Sequence, residues 1–251
     1  MDLGLQGRTA LVTGASVGIG RGIAEVLAQE GVRVALLARR AILLEQVAEE
    51  IVKMGGPPPF VFAADLADTD VSERVGTAVL RTFGRLDILV NNAGGSRPAG
   101  LETPDAVWEG SLSLGFTTVR KLTYLFLPSM RQQEWGRVIN ITGANEPTHL
   151  NADQVAKAAQ VAWAKGLSRE VGRFGITVNS VAPGRIMSEQ IEKMYPSLDA
   201  REDFAAANIP LGYFGDPHDV GYTVAFLASP KARYITGSII YVDGGYHRFS
   251  F

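Results

Sequence analysis

The sequence predicts a doubly wound α/β fold, a parallel sheet between two layers of helices, and three observations lead there. Short apolar runs alternate with longer stretches whose apolar residues recur at helical spacing. Strands separated by helices imply parallel βαβ units with right-handed crossovers. No linker, internal repeat or low-complexity tract interrupts the alternation, so residues 1–251 read as one domain.

The elements follow in order. Thr9–Thr13 (TALVT) is a buried strand, and Gly18–Glu30 a helix with Ile19, Ile23, Val26 and Leu27 in one stripe. Val32–Ala38 is the second strand, and Ala41–Met54 the second helix, carrying Leu44, Val47, Ile51 and Val52. Gly55-Gly56-Pro57-Pro58-Pro59 stops that helix, because proline has no N–H to donate and crowds the preceding turn. Phe60–Ala64 is strand three, Asp70–Phe83 a helix on Val71, Val75 and Val79, and Leu86–Val90 strand four. A longer helical stretch covers about Asp105–Gln132, with Thr103-Pro104 as cap and first-turn proline. Val138–Thr142, Thr177–Ala182 and Ile239–Val242 supply the remaining strands, and Ala152–Arg173 a long helix.

Composition removes whole classes of function. The 251 residues are 46% hydrophobic, with 24 basic and 26 acidic side chains and no cysteine. The absent cysteine excludes disulfides, thiolate catalysis and zinc–thiolate sites, and no metal is expected. A net charge of −2 lacks the basic excess of a nucleic-acid binder. No apolar run reaches the roughly 18–20 residues that span a bilayer, and MDLGLQGRTALVTG does not read as a secretory leader. The expectation is a soluble, cytoplasmic protein whose partner is a small molecule.

In such a sheet, ligands bind beyond the carboxyl ends of the strands, where the strand order reverses. The segments to watch are therefore Gly14–Gly20, Arg39–Arg40, Asp65, Asn91–Gly95, Thr142–Asp153 and Pro183–Ser188. Gly14-Ala15-Ser16-Val17-Gly18-Ile19-Gly20 joins the first strand to the first helix, where glycines permit a sharp turn and let a pyrophosphate reach the helix N–H groups. An NAD site places an acidic residue near the end of strand two. Here that strand ends in Arg39-Arg40, whose guanidiniums suit a 2′-phosphate, so NADP(H) is expected ahead of NAD.

These segments carry a resemblance. Thr13-Gly14 with Gly18-Ile19-Gly20, Asp65, Asn91-Asn92-Ala93-Gly94, Asn179-Ser180-Val181-Ala182-Pro183-Gly184, Ile235-Thr236-Gly237 and Val242-Asp243-Gly244-Gly245 resemble the short-chain dehydrogenase/reductase family, nearest its 3-oxoacyl-carrier-protein-reductase-like members. The resemblance implies a seven-stranded parallel Rossmann sheet. It implies a cofactor held by Gly14, Ser16, Val17, Gly18, Ile19 and Gly20, with Arg39 and Arg40 beside it. Asp65 and Leu66 would meet the adenine, and Asn91, Ala93 and Gly94 the ribose. Pro183, Gly184, Ile186 and Ser188 would meet the nicotinamide, beneath a mobile lid running from Gly184 to about Ala207. It also implies a homodimer or homotetramer assembled through the long helix, where Val155, Ala159, Ala162 and Gly166 form a small-residue stripe, and the helix before it.

The catalytic pattern departs from the family's. The resemblance implies a Ser, a Tyr and a Lys, with an Asn. Lys157 stands at the lysine position, but Asp153 occupies the tyrosine position, Gly143 that of serine and Gly115 that of asparagine. Lys157 is expected to bond the nicotinamide ribose, the alternative being an ordinary solvated lysine. Asp153 is a poor acid, because a carboxyl ordinarily ionises near about 3.9 and a lysine one turn on favours the ionised form. It is expected to form an ion pair that orients Lys157. His149 is the better proton donor on chemistry, since an imidazole ordinarily titrates near about 6.5, although an exposed loop histidine is the alternative. Tyr195 is a further candidate. Losing a general acid costs about 10²–10⁴ in rate, which still leaves the gain from holding two reactants together. The expected function is an NADP-dependent oxidoreductase that reduces a ketone or 3-oxo carbonyl with a donor other than tyrosine. The alternatives are reduction of a conjugated C=C bond, or a cofactor-binding sensor or partner subunit without chemistry.

Overall fold

Seven of the apolar runs pair into one sheet in the computed structural model, which describes residues 1–143, 147 and 149–249. The strands are β1 Thr9–Thr13, β2 Arg33–Ala38, β3 Phe60–Ala63, β4 Ile88–Asn91, β5 Gly136–Ile141, β6 Ile176–Pro183 and β7 Ile239–Val242. Their order is β3-β2-β1-β4-β5-β6-β7, and every neighbouring pair is parallel. β1, β4, β5 and β6 are buried along their whole length, as strands in a parallel sheet covered on both faces should be.

The helices are α1 Gly18–Gln29, α2 Ala41–Lys53, α3 Val71–Phe83, α4 Asp105–Leu112, α5 Thr118–Gln132, α6 Ala152–Val171, α7 Glu189–Met194, α8 Leu198–Asn208 and α9 Pro217–Ala228. One sheet face buries Ile23, Val26 and Leu27 of α1, Leu44, Val47 and Ile51 of α2, and Val220 and Val224 of α9. The other buries Val75 and Val79 of α3, Leu122 and Phe126 of α5, and Ala164 and Leu167 of α6. Each fully buried Leu, Ile, Val or Phe contributes about 1.5–3 kcal/mol relative to exposure, so these two layers dominate stability.

The helical stretch expected over Asp105–Gln132 is not one α-helix. A π-helical turn, Ser113–Thr117, separates α4 from α5. Gly115 lies within it, against Ala156 of α6: a Cβ added at Gly115 would stand 2.8 Å from the Ala156 Cβ. The segment from Gly184 onwards folds as two short helices, α7 and α8, and strand ends differ from the expected bounds by one or two residues. His218 lies between two carboxylates, its Nε2 2.9 Å from Glu25 in α1 and its Nδ1 2.6 Å from Asp216.

Strand order reverses between β1 and β4, so the crevice opens at their carboxyl ends. The loops following β1, β2, β4, β5 and β6 all emerge there.

Candidate active site

The glycine loop is shaped by contacts that exclude side chains. Gly14 and Gly18 have φ of +68° and +54°, in the left-handed region that favours glycine. A Cβ at Gly20 would drive into the Gly14 carbonyl oxygen, and one at Gly14 would stand 2.9 Å from Asn92 Nδ2. Asn92 bolts the loop to β4: its Nδ2 donates to the carbonyls of Thr13 at 2.9 Å and Gly14 at 3.3 Å. The Thr13 hydroxyl accepts from the backbone N–H groups of Asn92 and Ala93, both at 2.9 Å. The N-cap of α1 is Val17, which makes no capping hydrogen bond to the first turn, and among the described residues no other side chain bonds to it. Its N–H groups are thus available to an anion, and the partial positive charge of the helix end favours one. These features fit a dinucleotide's pyrophosphate.

Both arginines beyond β2 meet carboxylates. Arg40 forms a two-pronged pair with Glu189 at the start of α7, Nη1–Oε1 and Nη2–Oε2 both 3.0 Å. Arg40 holds the Glu189 carboxyl below its ordinary range. Arg39 lies 3.9 Å from Asp65 and is exposed. Leu66 is buried, and its carbonyl accepts from Thr118 Oγ1 at 3.3 Å. Ser188 caps α7 and packs so near the glycine loop that a Cβ at Gly18 would lie 3.2 Å from its own Cβ.

Asn91 is buried at the end of β4, its Nδ2 donating to Asn140 Oδ1 at 2.9 Å, so its side chain joins β4 to β5 rather than facing the crevice. Gly94 lies beside Lys157: a Cβ there would stand 3.5 Å from Nζ. Pro183 ends β6, and Gly184 passes so near β7 that a Cβ would meet the Asp243 backbone at 2.7 Å. Ile186 is buried and bridges to Gly215.

Lys157 Nζ donates to the Ile141 carbonyl at 2.7 Å, which holds the ammonium at the carboxyl end of β5. Burial pulls it down to about 8 from 10.5, against the upward pull of the Asp153 carboxylate. Asp153 departs from expectation. Its ion pair is with Arg97, Nη1–Oδ1 3.2 Å, and not with Lys157. The same Nη1 donates to Ser111 Oγ of α4 at 2.9 Å. Asp153 itself is buried, 6% exposed, and its Oδ2 has no hydrogen-bond partner. Arg97 carries no motif, and sequence reasoning missed it. Its partner lies 56 residues away, and the one available signal was a basic residue just after the Asn91–Gly95 segment.

A Cβ added at Gly143 would meet nothing within 4 Å among the described residues, and the Thr142 hydroxyl turns away to donate to the Val181 carbonyl at 3.1 Å. His149 is exposed in the loop before α6; Ala144, Asn145, Glu146 and Thr148 of the expected Thr142–Asp153 segment lie outside the described residues. Tyr195 packs its ring against Phe204 and Phe214, at centroid distances of 4.9 and 5.4 Å.

Comparison with known proteins agrees with this geometry. The family described as enoyl-(acyl carrier protein) reductase matches residues 14–247. The chain is 37% identical over 248 residues to 3-oxoacyl-acyl-carrier-protein reductase of Vibrio cholerae, covering 97% of this chain and 98% of that protein. It is 40% identical over 248 residues to the same enzyme of Staphylococcus aureus, covering 95% and 97%. Among solved structures, L-sorbose reductase from Gluconobacter frateurii complexed with NADPH and L-sorbose superposes with a TM-score of 0.93 at 29% identity, covering 99% of this chain and all of that one. With sheet order, glycine loop and full-length similarity in agreement, the chain belongs to the short-chain dehydrogenase/reductase family of oxidoreductases.

Proposed function

We propose that the protein is an NADPH-dependent reductase of a ketone or 3-oxo carbonyl, working without the family's tyrosine. The observation that carries this is the intact cradle beside Lys157: two left-handed glycines, an uncapped α1 N-terminus and paired arginines at the end of β2. The relatives named 3-oxoacyl-acyl-carrier-protein reductase and the NADPH complex of the sorbose enzyme support the same reading. Gly14, Ser16, Val17, Gly18, Ile19 and Gly20 take the pyrophosphate, and Arg39 and Arg40 the 2′-phosphate. Asp65 and Leu66 border the adenine, and the Asn91 backbone with Ala93 and Gly94 the ribose. Pro183, Gly184, Ile186 and Ser188 border the nicotinamide under a lid of α7 and α8. When bound, the reduced nicotinamide supplies the hydride that adds to the carbonyl carbon. Lys157 orients the ribose from the end of β5, and a group other than tyrosine, His149 among the candidates, delivers the proton.

A second reading is reduction of a conjugated C=C bond. It is favoured by the matching family's description as an enoyl reductase and by the missing hydroxyls at positions 143 and 153. We also propose cytoplasmic location and a homodimer or homotetramer. Leu112 of α4, Tyr124 and Leu125 of α5 and Val155 of α6 are exposed and would be covered by a second copy. Among the described residues no helix is long and apolar enough to cross a membrane.

The test is NADPH and NADH binding followed by fluorescence, then loss of reduced-cofactor absorbance with ketones, aldehydes, 3-oxoacyl thioesters and enones. Turnover of carbonyls supports the first reading and turnover of enones alone the second. NADPH binding with no turnover on any compound supports a sensor or partner subunit instead.

A further inference from the structure

The carboxylate at the tyrosine position is answered by an arginine outside every family motif. Arg97 is fixed by its surroundings as well as by charge. The Ala152 N–H donates to the Arg97 carbonyl at 3.1 Å, and the Ala99 N–H to the Leu150 carbonyl at 3.0 Å. Asn151 Nδ2 donates to Ser96 Oγ at 2.9 Å, and Pro98 and Asn151 form an antiparallel bridge. The loop leaving β4 is thereby stitched to the first turn of α6, and its guanidinium spans Asp153 of α6 and the fully buried Ser111 of α4. A carboxylate one helical turn before a lysine would ordinarily pair with that lysine. Here Asp153 bonds Arg97, while Lys157 bonds a backbone carbonyl.

We propose that Arg97 is a positioning residue of the site: by holding the Asp153 carboxylate it keeps a counterion from Lys157, and leaves the Lys157 ammonium as the proton donor to the substrate oxygen. The inference rests on the reductase reading above and names its missing acid. In the step, the carbonyl carbon gains the hydride of the reduced nicotinamide and the C=O electron pair moves to oxygen. One N–H bond of Lys157 breaks as the O–H bond forms, and the neutral amine regains a proton from water. Lys157 Nζ is held at the end of β5, with Gly94 of the β4 loop beside it. Burial loosens the lysine's hold on its proton and the Asp153 carboxylate on its own helix tightens it, while Arg97 from the β4 loop bonds that carboxylate and the Ile141 carbonyl from β5 accepts from Nζ. An ammonium brought down to about 8 gives up its proton near neutrality far more readily than an ordinary lysine.

The signs are fixed by electrostatics. Arg97→Met removes a cation and turns the Asp153 carboxylate toward Lys157, and both changes strengthen the ammonium's hold on its proton. Asp153→Asn removes an anion and does the opposite, and Arg97→Lys keeps the charge. The experiment is competitive acetylation with acetic anhydride over the neutral to alkaline range on the cofactor-free protein, following the Lys157 peptide by mass spectrometry. It is paired with the pH profile of kcat for NADPH oxidation by a 3-oxoacyl thioester.

The wild-type midpoint is expected near 8, as burial sets it. In Arg97→Met it should rise by at least about one pH unit, in Arg97→Lys stay near wild type, and in Asp153→Asn fall. The kcat profile should decline toward high pH on the same midpoints. Unchanged acetylation midpoints in both Arg97→Met and Asp153→Asn overturn the role of Arg97. A kcat profile that ignores the Lys157 midpoint, or vanishes in His149→Gln, overturns Lys157 as donor. Failure to oxidise NADPH with any carbonyl overturns the reductase reading and the donor role together, while the acetylation series still decides what Arg97 does.

Discussion

An asparagine placed at position 115, where the family resemblance implies one, is expected to destabilise the protein. A Cβ at Gly115 would sit 2.8 Å from the Ala156 Cβ, whereas carbon–carbon contacts are most favourable at about 3.5–4.0 Å. Roughly 1 Å must therefore be found by moving α6 or the π-helical turn, and overpacking of this kind costs about 1–3 kcal/mol. For a chain of this size each kcal/mol lowers Tm by about 2–4 °C, so Gly115→Asn should melt about 2–12 °C below wild type. The assay is thermal unfolding at one fixed protomer concentration, since assembly would otherwise shift the midpoint. Ala156→Gly removes the opposing methyl, so the double variant should lose less than the sum of the single losses. A Gly115→Asn protein as stable as wild type, or strictly additive losses in the double variant, would refute the reasoning. α6 also carries Asp153 and Lys157, so a shift of that helix would move both side chains.

Three further outcomes are expected. Glu189→Gln should free the Arg40 fork and tighten NADPH about two- to five-fold, the range an exposed ion pair allows; Arg40→Met should weaken NADPH, and neither should move NADH in a fluorescence titration. Gly20→Ala forces a methyl into the Gly14 carbonyl and should abolish cofactor binding in the same titration, with circular dichroism confirming that the fold survives. Lys157 binds its proton less tightly folded (about 8) than unfolded (10.5), so between those values the unfolded chain carries more protons and stability should rise with pH; urea denaturation of Lys157→Met should show a flatter rise across that window.

What could be read from the sequence was what local pattern dictates. A continuous apolar run such as Thr9–Thr13 can satisfy both faces only inside a covered sheet, so the strands were recoverable, and with them the carboxyl-end segments where ligands bind. The glycine loop was recoverable because left-handed backbone and close approach at Gly14, Gly18 and Gly20 admit little else. Pairings across long separations were not. Arg97 with Asp153 is 56 residues apart and Arg40 with Glu189 is 149 apart, and no local periodicity encodes either. The π-helical turn was hidden for a related reason: it lies where Gly115 packs on Ala156, a contact between two helices that local periodicity does not encode. The expected ion pair between Asp153 and Lys157 failed because helical spacing brings the two near each other but cannot exclude a better-placed arginine from another element.

The most direct test of a reductase working without the family tyrosine is NADPH oxidation by a 3-oxoacyl thioester, measured on wild type and Lys157→Met under identical conditions. The wild type should turn over and Lys157→Met should lose at least about a hundred-fold, the low end of general-acid catalysis, with NADPH still bound by the variant. Equal turnover by the two proteins, or a wild type that binds NADPH and oxidises none of it, would contradict the account.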